Sequence, residues 1–102
     1  MIARIWKGST LPGMGRQYLS YFEQTGLKEY RETDGCKDVI VLTREVGEAT
    51  EYVLITLWEN IEAVKRFAGS EPERAVYYPA DEVYFPKDQL PAHVNHYEVL
   101  QV

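Results

Sequence analysis

The chain has 102 residues, a formal net charge of −5 and a composition that is 45% hydrophobic and 26% charged, the balance of one globular domain spanning residues 1–102. Its eleven Lys and Arg residues are scattered rather than clustered, which excludes the basic footprint of a nucleic-acid binder. Cys36 is the sole cysteine, so no intramolecular disulfide can form, and no apolar stretch nears the about 20 residues that span a bilayer. These features, with no secretory h-region near the N-terminus, predict a cytoplasmic protein with no membrane partner.

In chain order, "MIARIWK" at residues 1–7 is short, β-prone and ends at Gly8, and is predicted as the first strand. Pro12 suits a first helical turn, and Met14, Tyr18, Tyr21 and Phe22 then share one helical face up to a stop at Gly26. "LKEYRET" is a further helical turn or an ordered loop. Two β-rich runs, "VIVL" (39–42) and "YVLITLW" (52–58), flank a turn at Gly47 and Glu48, which predicts a hairpin. Asn60 caps the next helix, whose buried stripe is Ile61, Val64, Phe67 and Ala68 and whose stop is Gly69. "SEPE" (70–73) has capping-box spacing and predicts a short helix over Ala75 to Tyr78. The three-proline stretch 79–91 is predicted as an irregular connection, and residues 93–101 as the last strand.

The order β-α-β-β-α-β defines an α+β, ferredoxin-like antiparallel sheet with its helices on one face. The two central runs are almost continuously apolar, whereas strands with one wet face should alternate. Two helices cover one face only. A second copy of the chain across a two-fold axis is the economical cover for the other, so a homodimer is expected.

Several stretches resemble the antibiotic biosynthesis monooxygenase family: "IARIWKG" at the start, "LWENIEAVKRFAG" from Leu57 to Gly69, "ERAVYYPADEVY" from Glu73 to Tyr84, and "HYEV" from His96 to Val99. The resemblance implies a dimeric α+β barrel, two ferredoxin-like sheets packed face to face. It also implies a range of activities, among them cofactor-independent oxygenation of phenol-, quinol- or anthrone-like molecules by dioxygen. The alternative is a non-enzymatic small-molecule-binding or stress-response domain with the same fold. Haem-degrading relatives carry an Asn on the first strand and a His beyond the Trp. Here the strand reads Ile2-Ala3-Arg4-Ile5-Trp6-Lys7 and no histidine lies between Trp58 and His93, which argues against haem.

His93 and His96 are three apart on a strand, so they point to opposite faces and cannot share a metal ion; no metal site is expected. His96, on the face of Val94, Glu98 and Leu100, is a satisfied sheet histidine or a general base for a phenolic substrate, and His93 faces solvent. Trp58 is an anchor of sheet to helix or, as the resemblance implies, a ring near the substrate. Asn60 is a helix cap or a ligand for a substrate oxygen. Ile2, Arg4 and Trp6 share one face of the first strand, where the arginine needs a partner, either a carboxylate such as Glu98 or an anionic substrate oxygen. Of Tyr77 and Tyr78, adjacent on a helix, one can face inward. The expected constellation is thus His96 as base, Asn60 or Arg4 as donor, and Trp58, Trp6 and Tyr77 as walls, with no cofactor.

Overall fold

A computed structural model describes residues 1–102. The elements run β1 (Ile2–Ser9), α1 (Gly15–Gln24), α2 (Gly26–Glu32), β2 (Cys36–Val46), β3 (Ala49–Trp58), α3 (Ile61–Ala68), α4 (Asp81–Tyr84), a single 3-10 turn (Lys87–Gln89) and β4 (Asn95–Glu98). The four strands form one antiparallel sheet in the order β2-β3-β1-β4. This is the ferredoxin-like order expected from the sequence. No helix is long and apolar enough to cross a membrane.

The hairpin turns at Gly47, whose φ of 62° is the left-handed value that a two-residue turn of type II′ requires at its first central position. Asn60 caps α3 as its sequence position predicts: its Oδ1 accepts from the Ala63 N–H at 2.9 Å. The helix after β1 does not stop at Gly26. It breaks at Thr25 and resumes as α2, whose Tyr30 is buried in the core.

The structure corrects the reading of residues 70–101. Ala75 to Tyr78 are not helical. The Ala75 N–H donates to the Ala92 carbonyl at 2.9 Å and the Val94 N–H to the Glu73 carbonyl at 2.8 Å, so this stretch pairs with the approach to β4 instead of coiling on itself. The helical turn comes later, at Asp81–Tyr84, inside the segment read as irregular. The last strand is also shorter than residues 93–101, because β1 offers partners only from Ile2 to Ile5.

On β3 the burial alternates strictly. Thr50, Tyr52, Leu54, Thr56 and Trp58 are buried under the helices, and the intervening residues are half-buried. The register aligns Ile40 with Ile55 and Leu42 with Val53 on the opposite face, where Ala3, Ile5 and Leu57 extend the same apolar row. Ile40 and Leu42 are 38% and 48% exposed. The continuous apolar runs therefore follow from an apolar sheet face that the chain itself leaves bare.

Candidate active site between the sheet and the helices

Beneath α1 and α2 the helix side of the sheet encloses a void of about 30 Å³, room for about one water molecule. Its walls come from every layer: Arg4, Trp6 and Leu54 from the sheet, Tyr18 and Phe22 from α1, Tyr30 from α2, and Val76, Tyr77, Tyr78, Asp81, Phe85, Leu90 and Val94 from the long connection into β4. The aromatic rings meet edge to face, which leaves gaps that aliphatic side chains would fill. Tyr18 crosses Phe85 at 84° with centroids 4.6 Å apart, and Trp6 crosses Phe85 at 88° and 5.3 Å. Outside lies an open depression of about 630 Å³, and Tyr77, Tyr78, Asp81 and Leu90 border both spaces. These four residues form a wall common to the interior and the surface depression.

The wall is held by hydrogen bonds. The Trp6 indole N–H donates to the Tyr77 hydroxyl at 3.0 Å, and that hydroxyl donates to the Pro91 carbonyl. The Tyr78 hydroxyl donates to a carboxylate oxygen of Glu29 on α2. The Asp81 carboxylate accepts from the Tyr78 backbone N–H at 2.7 Å. Because Ala75 to Tyr78 run without helix, Tyr77 and Tyr78 both border the cavity, in place of the single inward tyrosine that a helix would allow. Burial raises the pKa of both phenols; for Tyr77 the Trp6 hydrogen bond opposes the shift, and for Tyr78 the Glu29 carboxylate adds to it. Burial likewise pushes Tyr30 up to about 12.

Arg4 is 3% exposed and is not paired with Glu98, which sits instead 3.6 Å from the N-terminal ammonium. Its guanidinium donates to the carbonyls of Pro72 and, at 2.8 Å, of Arg74, so it is satisfied by backbone oxygens at the turn after α3. Its Nη1 also lies 3.2 Å from Nε2 of His96. A guanidinium can only donate, so this contact makes Nε2 the acceptor and leaves the imidazole proton on Nδ1. Burial first, and the Arg4 charge second, hold His96 below the usual histidine pKa, with Glu73 opposing.

The predicted site residues therefore separate into two groups. Arg4, Trp6 and Tyr77 converge on the cavity. His96 lies one step behind Arg4, facing its guanidinium. His93 is exposed and bridges to Arg74 on the far strand edge, so the two histidines do not meet. Trp58 does not border the cavity. It is 0% exposed, its indole N–H donates to Thr56 Oγ1 at 2.7 Å, and its ring packs on Phe67 and Tyr30 at 5.8 and 6.2 Å. Asn60 is exposed at the start of α3 with its oxygen spent on the cap. Sequence reasoning overlooked Tyr18, Phe85 and Asp81. The first stood visibly on the apolar stripe of α1, whereas an acid within a three-proline stretch carries no sequence signal for burial.

A scan against protein-family models finds no match, and no curated protein matches the chain. Among solved structures the fold is shared with that of a Bacillus cereus protein described as a "putative antibiotic biosynthesis monooxygenase". The two superpose with a TM-score of 0.54 at 24% identity over 95% of this chain and 87% of the other. At this identity the likeness shows a shared fold.

Proposed function

We propose that the protein is a cofactor-independent monooxygenase that holds a phenol-, quinol- or anthrone-like small molecule in the Trp6-lined interior, and that it works in the cytoplasm as a homodimer joined through its bare sheet face. The observation that carries the reading is the interior itself, an aromatic box with an arginine in one wall, set in a fold shared with a protein described as a monooxygenase. Flat rings pack well against such walls, and a site closed to water strengthens every polar interaction within it.

The reaction asks little of the chain. For an anthrone-like methylene the substrate supplies all the electrons: CH2 and dioxygen become C=O and one water. Loss of a proton gives a delocalised anion that reduces dioxygen, so the protein needs a proton acceptor, a donor for the developing oxyanion, and exclusion of bulk water. Arg4 borders the space and has N–H groups beyond those directed at Pro72, Arg74 and His96, Tyr77 becomes a donor once its hydroxyl leaves the Pro91 carbonyl, and Trp6 is the floor. In this reading His96 holds Arg4, while Trp58 and the helix cap Asn60 brace the far end of the sheet. A ring cannot fit into about 30 Å³, so the ligand enters by displacing the Tyr77–Tyr78 wall into the outer depression.

The closed interior also favours a second reading, a binding domain without chemistry. Dioxygen uptake separates the two: protein shown to hold no flavin or metal is offered anthrone and hydroquinones in an oxygen electrode. Enzyme-dependent uptake supports the oxygenase; saturable binding without uptake supports the binding domain. Sedimentation tests the partner, since the exposed apolar row predicts a dimer and a species near the 11.8 kDa of one chain at micromolar concentration contradicts it.

A further inference from the structure

We propose that Asp81 is the proton acceptor of this site, the carboxylate that takes the hydroxyl hydrogen of a phenolic ligand as it passes from the outer depression into the interior. The assignment rests on reading the interior as an aromatic-ligand site. Asp81 is 7% exposed, and it is the sole carboxylate bordering both the cavity and the depression; Glu82 borders the depression alone. No lysine, arginine or histidine nitrogen lies within ion-pair distance of it. Its one hydrogen bond from the protein is the Tyr78 N–H on Oδ2. Oδ1 accepts no hydrogen bond from the protein and is not fully enclosed, on a residue that lines both spaces.

Buried carboxylates are normally matched by a cation or by several donors, because desolvation of the charge is costly. Asp81 has neither, which leaves an acceptor oxygen at the wall that the cavity shares with the outer depression. The titratable groups that sense its charge are the phenols of Tyr18, Tyr30, Tyr77 and Tyr78, and Lys87 and Glu82 line the outer depression. Burial raises the Asp81 pKa above the ordinary aspartate value, with the Tyr78 N–H opposing it, which makes the carboxylate a better base. In the transfer the ligand O–H bond breaks, its electron pair stays on the ligand oxygen, and a new O–H bond forms at Oδ1. The negative charge moves from Asp81 to the aryloxide. His96 cannot take this part, since its Nε2 faces Arg4.

The test uses 4-nitrophenol, whose phenol and phenolate forms absorb differently, with the parent, Asp81→Asn and Glu82→Gln. The amide oxygen of Asp81→Asn can still accept from Tyr78, so the variant should keep the parent melting temperature. A carboxylate that takes the hydroxyl proton leaves the ligand as aryloxide, so nitrophenol bound to the parent should show its phenolate absorbance about one pH unit or more below nitrophenol bound to Asp81→Asn, and a shift the other way counts against the transfer. Glu82→Gln should titrate like the parent. Equal titration in the parent and Asp81→Asn, a shift carried by Glu82→Gln instead, or no binding to the parent overturns the assignment. Dioxygen uptake is measured alongside: Asp81→Asn should lower kcat/KM about a hundredfold. If nitrophenol reports the Asp81 contact while no anthrone or hydroquinone is oxidised, the oxygenase reading fails and the acceptor stands.

Discussion

The two tryptophans of the chain lie on the same sheet face and meet opposite fates. Trp58 at the end of β3 is sealed by α3, with Val64 and Ala63 fully buried around it and its indole N–H turned inward to Thr56. Trp6 on β1 meets the rings of Tyr77 and Phe85 from the connection into β4, and its indole N–H reaches the Tyr77 hydroxyl in the wall shared with the outer depression. One end is closed by a capped helix, with Phe67 and Tyr30 packed on the indole and no cavity beside it. The other is closed by crossed aromatic rings that leave a void, behind tyrosines held by hydrogen bonds. The same residue type thus serves as anchor at one end and as cavity floor at the other.

Trp58→Ala should have the largest effect, since truncating a fully enclosed ring costs about 3–5 kcal/mol. Chemical denaturation should show this loss, while Trp6→Ala should lose distinctly less stability and more ligand affinity. Equal losses from the two would erase the distinction between the ends. Arg4→Met comes next, at about 2–3 kcal/mol, because the carbonyls of Pro72 and Arg74 lose a charged donor in a buried place. Its urea midpoint should fall without a change in slope. Tyr77→Phe removes only the hydroxyl that links Trp6 to Pro91 and should cost about 1 kcal/mol. Amide exchange should quicken at residues 75–92 and stay unchanged on α3; acceleration on both would mean that the wall and the packed end open together.

The smallest effect is a pH dependence. The folded state holds His96 below its ordinary pKa of 6.5, so the unfolded chain binds a proton that the folded chain resists. Stability should be full above pH 6.5 and decline as pH falls toward the lowered value, and His96→Gln should flatten that part of the curve. A parent curve that rises on acidification through this window would show that Glu73, not Arg4 and burial, governs the imidazole.

What could be read in the sequence follows from how local each signal is. Continuous β-prone apolar runs and the Gly47 turn marked the strands, Asn60 and the apolar stripe marked α3, and Arg4, Trp6 and Tyr77 emerged because β1 and the tyrosine pair sit where apolar context made polar groups conspicuous. The capping-box spacing at Ser70 misled, because backbone pairing with residues 92 to 94 outweighed a local cap that also contains Pro72. The partner of Arg4 was invisible for a related reason. Carbonyl oxygens carry no sequence letter, so a guanidinium satisfied by Pro72 and Arg74 looked as if it needed Glu98. Asp81 was hidden by its setting among prolines, where an acid ordinarily faces water.

The central claim is that the Trp6 end of the interior, and not the Trp58 end, receives an aromatic ligand. Fluorine NMR of protein labelled with fluorotryptophan tests it most directly, with Trp58→Phe assigning the two resonances. Hydroquinone added under argon should shift the Trp6 resonance saturably and leave the Trp58 resonance where it was. Saturable binding that moves Trp58 alone or both resonances equally, or no shift at either up to millimolar ligand, would contradict the account.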